Sequence, residues 1–337
     1  MKAKWFKWSV AALCLLGFII IACNLERVSA IDGAVYGVIS SWISPAATVF
    51  FMGCTSLVSP IFLLLVSLAI VLLLPHKEYR IPVLINLCVA IILNLSLKQL
   101  FTRPRPTEVL HIITETGFSF PSGHSMAATC FYGFLIYLIW KLCKNKAWRA
   151  ALTALLSLVV VLVCVSRIYL GVHYFTDVFS GMLISVCYLT IFTSVVNAFF
   201  AEEKSFRPRG VEPDGQNRLA FSFLYAFDGI AAGFKSERNM VIHFSAMATV
   251  ITFGAMLGIS KTEWMICIIL FGLVIMAELM NTAVETVVDI VCPYQDPRAK
   301  RAKDLSAGAV LMVAIAAAVI GIMIFLPKLI ALIQNGL

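Results

Sequence analysis

Charged side chains are scarce in this chain: they make up 13% of its 337 residues, whereas hydrophobic residues make up 61%. The mean hydropathy is correspondingly high, at +0.95. This composition excludes a soluble globular protein and indicates a polytopic membrane protein. Because only helices and closed barrels satisfy their backbone hydrogen bonds in lipid, and continuous apolar runs favour helices, we expect an all-α fold.

Motifs for metal-thiolate or disulfide chemistry are also missing. The ten cysteines are scattered, mostly within apolar stretches, and they form no C-x-x-C pair and no cluster with histidine. This pattern excludes a zinc site of the usual spacing and is typical of small buried hydrophobic side chains. The sequence also has no internal repeat and no low-complexity tract.

Long apolar windows dominate what remains. About 20 mostly apolar residues cross the roughly 30 Å hydrocarbon core of a bilayer as a helix. Nine windows meet this description: 5–23, 55–75, 81–101, 124–141, 149–167, 177–200, 239–259, 262–288 and 305–330. Segment 33–54 contains glycines and Pro45, and the sequence leaves open whether it spans the membrane, re-enters it or lies at the interface.

The basic residues orient these predicted helices, because cytoplasmic loops are enriched in Lys and Arg. With the N-terminus in the cytoplasm, 19 of the 26 basic residues fall on the inner side. The formal net charge of +8 then describes a basic inner rim facing anionic lipid rather than a nucleic-acid site. We therefore expect a multi-pass protein of the cell membrane with a cytoplasmic N-terminus.

One polar stretch divides the chain. Residues 201–218 contain two prolines and two glycines and connect a six-helix part to a three-helix part. We predict a domain of six transmembrane helices over 1–200, a cytoplasmic linker over 201–216, and a domain of three transmembrane helices over 217–337.

Three short polar blocks interrupt the first part at 98–106, 121–124 and 166–177. The predicted orientation places all three on the outer side. Basic groups near a membrane surface often serve as anchors, but Lys98, Arg105 and Arg167 would surround one anion if short loops brought the helix ends together. Arginine binds phosphate oxygens in bidentate fashion and lysine adds a point charge. Arg103 forms a second Arg-Pro pair, and only the spacing favours Arg105.

The same blocks contain two histidines and a carboxylate. His173 and Asp177 are four residues apart, so on a helix the carboxylate can hold one ring nitrogen protonated while the other acts as a nucleophile. His124 can then donate a proton to a leaving oxygen. Ser122 and Gly123 precede a predicted helix, whose free N–H groups favour anions. The pattern indicates a phosphate ester hydrolase.

These blocks resemble the three signature motifs of the type 2 phosphatidic acid phosphatase superfamily, with a likeness that covers about residues 1–200. The matching patterns are Lys98-x6-Arg105-Pro106, Pro121-Ser122-Gly123-His124 and Ser166-Arg167-x5-His173-x3-Asp177. The resemblance implies hydrolysis through a phosphohistidine without a metal cofactor: His173 is the nucleophile, Asp177 orients it and His124 is the general acid. It implies phosphate binding by Lys98, Arg105, Ser122, Gly123 and Arg167.

The second part presents acidic residues on one helix face. Glu278, Asn281, Glu285 and Asp289 follow at steps of three, four and four. A carboxylate at the centre of a membrane helix costs about 2.5 to 3.5 kcal/mol on the insertion scale, which favours a functional role, although Asp289 could simply lie at the wet interface. Clustered carboxylates suit Mg²⁺ together with substrate phosphates. These groups fall on the cytoplasmic side, where ATP is available.

Residues 217–330 resemble the small prokaryotic diacylglycerol kinases and undecaprenol kinases. The resemblance rests on residues 234–239, on the Glu-x2-Asn-x3-Glu-x3-Asp pattern of 278–289, and on residues 302–310. It implies an N-terminal amphipathic helix, Mg²⁺ and ATP as cofactors, and a homotrimer with shared active sites. The implied residue roles are metal binding by Glu237 and Glu285, catalytic base Glu278, and lipid or nucleotide binding by Asn281, Lys303 and Asp304.

The leading interpretation is a bacterial bifunctional enzyme of lipid-carrier metabolism. An outward-facing site removes phosphate from a lipid phosphate or diphosphate, of the undecaprenyl diphosphate or phosphatidate class. An inward-facing site phosphorylates a lipid alcohol, undecaprenol or diacylglycerol, with ATP. The alternatives are a single-activity enzyme whose other half is structural, and a lipid transporter or flippase, since carboxylates within the membrane can also mark ion paths.

Overall fold

A computed structural model describes residues 2–198, 218–236 and 238–334. Over these ranges the chain forms twelve α-helices and no strand, so the all-α prediction is confirmed. The helices are α1 Lys2–Ala22, α2 Ser29–Ser40, α3 Pro45–Ser56, α4 Pro60–Leu73, α5 Arg80–Phe101, α6 Gly123–Leu142, α7 Lys146–Tyr169, α8 Phe175–Val196, α9 Arg218–Ser236, α10 Arg238–Leu257, α11 Lys261–Val291 and α12 Pro297–Gln334. The predicted linker, 201–216, lies outside the described residues.

The predicted multi-pass character is confirmed by helix length and composition. Eight of the described helices are each long and apolar enough to cross a membrane. A ninth span requires α3 and α4 together, two helices whose axes differ by 49°. The single helix expected over 55–75 is instead broken: α4 begins at Pro60, and its 14 residues reach only about 21 Å. The break arises because Ser59 Oγ accepts from the amide of Phe62 and starts a new helix.

The ambiguous segment 33–54 forms most of α2 and α3. Ser44 caps α3, with its Oγ accepting from the amide of Ala47 at 3.3 Å, and Pro45 occupies the first turn. Thr48 Oγ1 lies 2.9 Å from the hydroxyl of Tyr169, at the end of α7. The segment therefore packs against the helix that carries the third polar block.

The described chain divides into two compact units, one of Met1–Leu72 with Ile85–Asn197 and one of Leu73–Leu84 with Ala198–Leu337. In the first unit α1 packs along α8, and α6 packs against α7 and α8. Lys7 Nζ donates to Ser194 Oγ at 3.0 Å, which joins the start of α1 to the end of α8. The loops that carry the three polar blocks lie at the opposite ends of these helices.

The second unit is built around a helical hairpin. α11 packs along α12, and α10 contacts both of them. Ile259, Cys267 and Ile324 form a buried apolar cluster in this unit. α9 is an amphipathic helix that packs on α10 and α11. The C-terminal half of α11 and the first turns of α12 therefore come together, which positions the acidic face of α11.

Gly171 lies where the loop after α7, which carries His173, contacts loop 102–122. Its φ is +75°, and a Cβ at this position would lie 2.2 Å from the carbonyl oxygen of Leu110. The amide of Ile112 donates to the carbonyl of Leu170 at 3.2 Å. Only glycine combines this backbone conformation with so close an approach, so the position holds loop 102–122 against the loop that carries His173.

Replacing Gly171 with alanine is expected to destabilise the first unit, with the left-handed φ alone costing about 1 to 3 kcal/mol. Thermal unfolding of the detergent-solubilised protein measures this effect. Gly37→Ala is the matched control, because a Cβ there meets nothing within 4 Å. An unfolding temperature equal to that of the control would contradict the role of Gly171.

Candidate active sites

The eight residues predicted for the outward site come from neighbouring helix ends of the first unit. They lie in the last turn of α5 (Lys98), the loop after it (Arg105), the N-cap and first turn of α6 (Ser122, Gly123, His124), the last turn of α7 (Arg167), the next loop (His173) and the first turn of α8 (Asp177). The structure brings them together: charge interactions link Lys98 to Arg105 and Arg167, and His124 to Arg167 and His173.

The start of α6 is fixed by close packing. A Cβ on Gly123 would lie 2.9 Å from the side-chain oxygen of Asn94, so glycine allows α5 to approach. The Asn94 amide donates to the carbonyl of Pro121 at 3.3 Å. The amide of Ser122 donates to the carbonyl of Asp177 at 3.1 Å, which ties the second polar block to the third.

The two Arg-Pro arginines have different environments. Arg103 donates to Asp177 Oδ1 at 2.5 Å, to Asp32 Oδ2 at 2.9 Å and to Thr176 Oγ1 at 2.9 Å. Its guanidinium also lies over the ring of Tyr174, 3.9 Å from the centroid. Arg103 is therefore enclosed between two buried carboxylates.

Arg105 instead faces the proposed nucleophile. Its Nη1 lies 3.4 Å from His173 Nε2 and donates to the carbonyl of Val172 at 2.9 Å. Of the two Arg-Pro arginines, the one that lies beside His173 is therefore Arg105, which the motif spacing predicts as the phosphate ligand.

Glu115, which the sequence analysis missed, bridges two of the predicted phosphate ligands. Its carboxylate pairs with Arg105 Nη2 at 3.1 Å and with Arg167 Nη2. Arg105 also donates to the carbonyls of Thr116 and Gly117, at 3.0 and 3.1 Å. A carboxylate of the chain therefore occupies the place where these arginines would hold phosphate.

The electrostatics of the first unit's site favour a neutral histidine beside charged partners. Burial, followed by the charges of Arg167 and Lys98, lowers the pKa of His173 well below its usual 6.5. Burial alone raises the pKa of Glu115, but the charge of Arg167 and its hydrogen bond to the carboxylate lower it to about 2 overall. At neutral pH the site thus holds an ionised Glu115 and a neutral imidazole. One ring nitrogen of a neutral imidazole has a free lone pair, which a nucleophile needs.

His173 and Asp177 are adjacent, but a third group lies between them. His173 Nδ1 is 3.5 Å from Asp177 Oδ2, whereas the hydroxyl of Ser119 is 3.2 Å from that nitrogen and 2.5 Å from that oxygen. Ser119 gave no signal in the sequence, since it is one hydroxyl within an aromatic run. Asp32 and Glu115 could have been noticed as carboxylates in a chain with only 18 acidic residues.

In the second unit the predicted residues of α11 and α12 also meet. Asn281 Nδ2 donates to Glu285 Oε1 at 2.9 Å, and its oxygen accepts from Ser306 Oγ at 2.7 Å. Lys303 Nζ pairs with Asp289 Oδ1 at 2.5 Å. Ser306 is a further residue that the sequence analysis missed. Asp304 is exposed on α12, and Glu237 lies outside the described residues.

Glu278 is fully buried on α11, and neither of its carboxylate oxygens has a hydrogen-bond partner among the described residues. His243 faces this carboxylate, with its Nε2 3.8 Å from Oε2. Glu278, Asn281 and His243 line a cavity of about 210 Å³. His243 and Ala314 also line a larger apolar cavity of about 500 Å³ between α10, α11 and α12. A buried carboxylate without a hydrogen-bond partner is costly, so its position in a cavity indicates a ligand-facing role.

The fit of Mg²⁺ to this unit rests on carboxylate oxygens. No cluster of three or more His, Cys, Asp or Glu side chains suited to a metal occurs in the described ranges. Mg²⁺ usually binds through one or two carboxylates and the phosphates of its substrate. Glu285, beside Asn281, fits this pattern as one ligand, with the nucleotide supplying others.

Comparisons with known proteins match both units. The sequence model of the PAP2 superfamily matches residues 80–201, and that of the prokaryotic diacylglycerol kinases matches residues 224–325. An undecaprenol kinase of Bacillus subtilis is 42% identical over 113 residues, which are 34% of this chain and 92% of that protein. Phosphatidylglycerophosphatase B of the same species is 38% identical over 122 residues, 35% of this chain and 56% of that protein.

A solved structure resembles the first part of the chain. The PAP2-type phosphatidylglycerolphosphate phosphatase from B. subtilis aligns with a TM-score of 0.52 at 28% identity. The alignment covers 58% of this chain and 98% of that one.

The fold and the two sites define a multi-pass membrane enzyme that joins a lipid phosphatase domain to a lipid kinase domain. The chain belongs to the prokaryotic diacylglycerol kinase family, and it carries a PAP2 superfamily domain ahead of the kinase domain.

Replacing Glu115 with glutamine is expected to tighten the binding of inorganic phosphate several-fold, because Arg105 and Arg167 then lack their carboxylate partner. Calorimetric titration of the purified protein, without Mg²⁺ or nucleotide, measures the affinity. Glu108→Gln serves as the control, since Glu108 is exposed in the same loop. Unchanged or weaker affinity in the Glu115 variant would contradict the interpretation of this contact.

Proposed function

We propose that the chain is a bifunctional enzyme with its two activities on opposite membrane faces. The first domain dephosphorylates a lipid phosphate or diphosphate on the outer face, and the second phosphorylates a lipid alcohol on the cytoplasmic face. The observation that carries the proposal is that each unit contains a buried group that can react. His173 lies beside the basic side chain of Arg105, and Glu278 lines a cavity.

In the phosphatase domain, His173 Nε2 attacks phosphorus while the bond to the lipid oxygen breaks. His124 donates a proton to that leaving oxygen. A water molecule then attacks the phosphohistidine, giving a proton to His124 and releasing inorganic phosphate. Basic side chains and the amides at the start of α6 hold the phosphate oxygens through both steps. These phosphate ligands are Lys98, Arg105, Ser122, Gly123 and Arg167.

In the kinase domain, Glu278 takes the proton of the lipid hydroxyl as the hydroxyl oxygen attacks the terminal phosphorus of ATP and the bond from that phosphorus to ADP breaks. Asn281, held by Ser306, orients the hydroxyl. Glu237 and Glu285 would hold Mg²⁺, which would neutralise charge on the phosphates of ATP. Lys303 and Asp304 contact the nucleotide. Near the start of α12, Asp304 is exposed and Lys303 is partly exposed, which supports access from water.

The choice of lipids rests on likeness and on the cavities. The kinase relative acts on undecaprenol by its name, and the phosphatase relative on phosphatidylglycerophosphate. The apolar cavity next to Glu278 supports a substrate with a long hydrocarbon chain. We propose undecaprenol for the kinase, with diacylglycerol as the second candidate. For the phosphatase we propose the undecaprenyl diphosphate or phosphatidate class.

The opposite orientation rests on the positive charges of the inner loops. A kinase and a phosphatase on one surface would consume ATP in a futile cycle, whereas separate faces allow a lipid carrier to be salvaged. By likeness to the kinase family, we also propose that the chain forms a homotrimer in the cell membrane.

Replacing one proposed active-site residue in either unit is expected to abolish the activity of that unit and leave the other activity intact. His173→Ala should abolish phosphate release from lipid phosphates and leave ATP-dependent lipid phosphorylation intact. Glu285→Gln should do the reverse. Activity is measured on undecaprenyl diphosphate, phosphatidate, undecaprenol and diacylglycerol, each with and without Mg-ATP.

The controls for this pair are His76→Ala, an exposed histidine, and Glu263→Gln at the far end of α11. Loss of both activities in either test variant would argue against two separate sites. Absence of all four activities in the unaltered protein would refute the proposed function.

The native cysteines can test the orientation. Cys23 follows α1, whereas Cys143 and Cys292 lie in loops predicted to be cytoplasmic. A membrane-impermeant maleimide should modify Cys23 in intact right-side-out vesicles, and the other two only after permeabilisation. Mass spectrometry of the labelled peptides gives the result. Labelling of Cys292 in intact vesicles would contradict the proposed orientation of the kinase.

A further inference from the structure

The side chain of Ser119 fills the space between His173 and Asp177. Ser119 is fully buried, and its hydroxyl donates to Asp177 Oδ2 at 2.5 Å. The same oxygen lies 3.2 Å from His173 Nδ1. A hydroxyl has one hydrogen and two lone pairs, so it can donate to the carboxylate and accept from the imidazole at the same time.

The hydrogen-bonding capacity of Asp177 leaves little room for a direct bond to the histidine. Its Oδ1 accepts from Arg103 at 2.5 Å. Its Oδ2 accepts from Ser119 Oγ at 2.5 Å and from the amide of Tyr174 at 2.9 Å. The two lone pairs of Oδ2 are thereby used. This explains why the direct separation from His173 Nδ1 is as long as 3.5 Å.

The backbone holds Ser119 in this position. Its amide donates to the carbonyl of Arg103 at 2.8 Å, so one arginine fixes the serine through its main chain and the carboxylate through its side chain. The next residue, Phe120, is fully buried and packs against Phe18 and Phe101. The backbone of the loop therefore fixes the position of Ser119, and only the short serine side chain separates its hydroxyl from this backbone.

We propose that Ser119 is a positioning residue of the phosphatase, through which Asp177 acts on His173. The inference rests on the proposed phosphohistidine mechanism. The N–H at His173 Nδ1 donates a hydrogen bond to Ser119 Oγ, and the serine O–H donates a hydrogen bond to Asp177, so that Nε2 keeps its lone pair towards the phosphate. When the bond from Nε2 to phosphorus forms and the bond to the lipid oxygen breaks, the imidazole gains positive charge. Through the Ser119 hydroxyl, which keeps its proton, the negative charge of Asp177 stabilises the positive charge on the imidazole.

Ser119→Ala is expected to lower kcat for phosphate release about 10- to 100-fold, the effect of losing a hydrogen bond to a charged group, with KM changed less than about twofold. Ser180→Ala is the matched control, because Ser180 is equally buried on α8 and its hydroxyl has no partner among the described residues. In a double variant with Asp177→Asn, loss of the serine should add little to the effect of Asp177→Asn alone. Full additivity, or a kcat equal to that of the control, would overturn the proposal.

A measurement that needs no turnover separates this inference from the proposed function. Nitrogen-15 NMR of the labelled, detergent-solubilised protein should show His173 protonated at Nδ1 alone. In the Ser119→Ala protein the signal should shift towards a mixture of tautomers, and in the Ser180→Ala protein it should not. An unchanged tautomer in Ser119→Ala refutes the positioning role. A shifted tautomer in a protein that hydrolyses no lipid phosphate supports the relay and refutes the phosphatase assignment.

Discussion

The need to neutralise charge in an apolar setting governs the first unit. An unpaired ion within a membrane protein is costly, and the described buried ions of its site lie in two connected groups. Arg103 lies between Asp32 and Asp177, while Glu115 lies between Arg105 and Arg167. The first group holds Asp177, the proposed partner of the nucleophile, and the second joins two of the proposed phosphate ligands. Two arginines only two positions apart thus have different environments: Arg103 is enclosed between carboxylates, and Arg105 lies beside His173.

The second unit manages charge differently. Asn281, Glu285 and Ser306 satisfy one another, but the carboxylate of Glu278 remains without a hydrogen-bond partner in the described part of the chain. In the site of the first unit the arginines already pair with carboxylates of the chain, and such a site suits a substrate that brings only an anion. A site with a buried carboxylate that lacks a hydrogen-bond partner, beside an apolar cavity, would suit a substrate that brings a hydroxyl, together with a nucleotide.

The sequence predicted what depends on local spacing. Apolar windows indicated the helices, and the four-residue step from His173 to Asp177 indicated their shared position. It did not predict the break before Pro60, because a capping serine outweighs hydropathy there. The sequence also did not predict contacts between residues far apart in the chain. For example, the amide of Thr176 donates to Asp32 Oδ1 across 144 positions, and no spacing rule predicts such a contact. Ser119 escaped because its role depends on how loop 102–122 folds back onto α8.

The carboxylate of Glu115 also bears on the surrounding lipid. Because Arg105 and Arg167 already share an anion, a headgroup that binds them as proposed would replace Glu115, and its binding free energy would be the difference between the two anions. A phosphodiester carries one negative charge and gains little from that exchange, whereas a terminal phosphate carries close to two. The abundant diester lipids of the bilayer are therefore poor competitors, and the site can find a rare terminal phosphate among them.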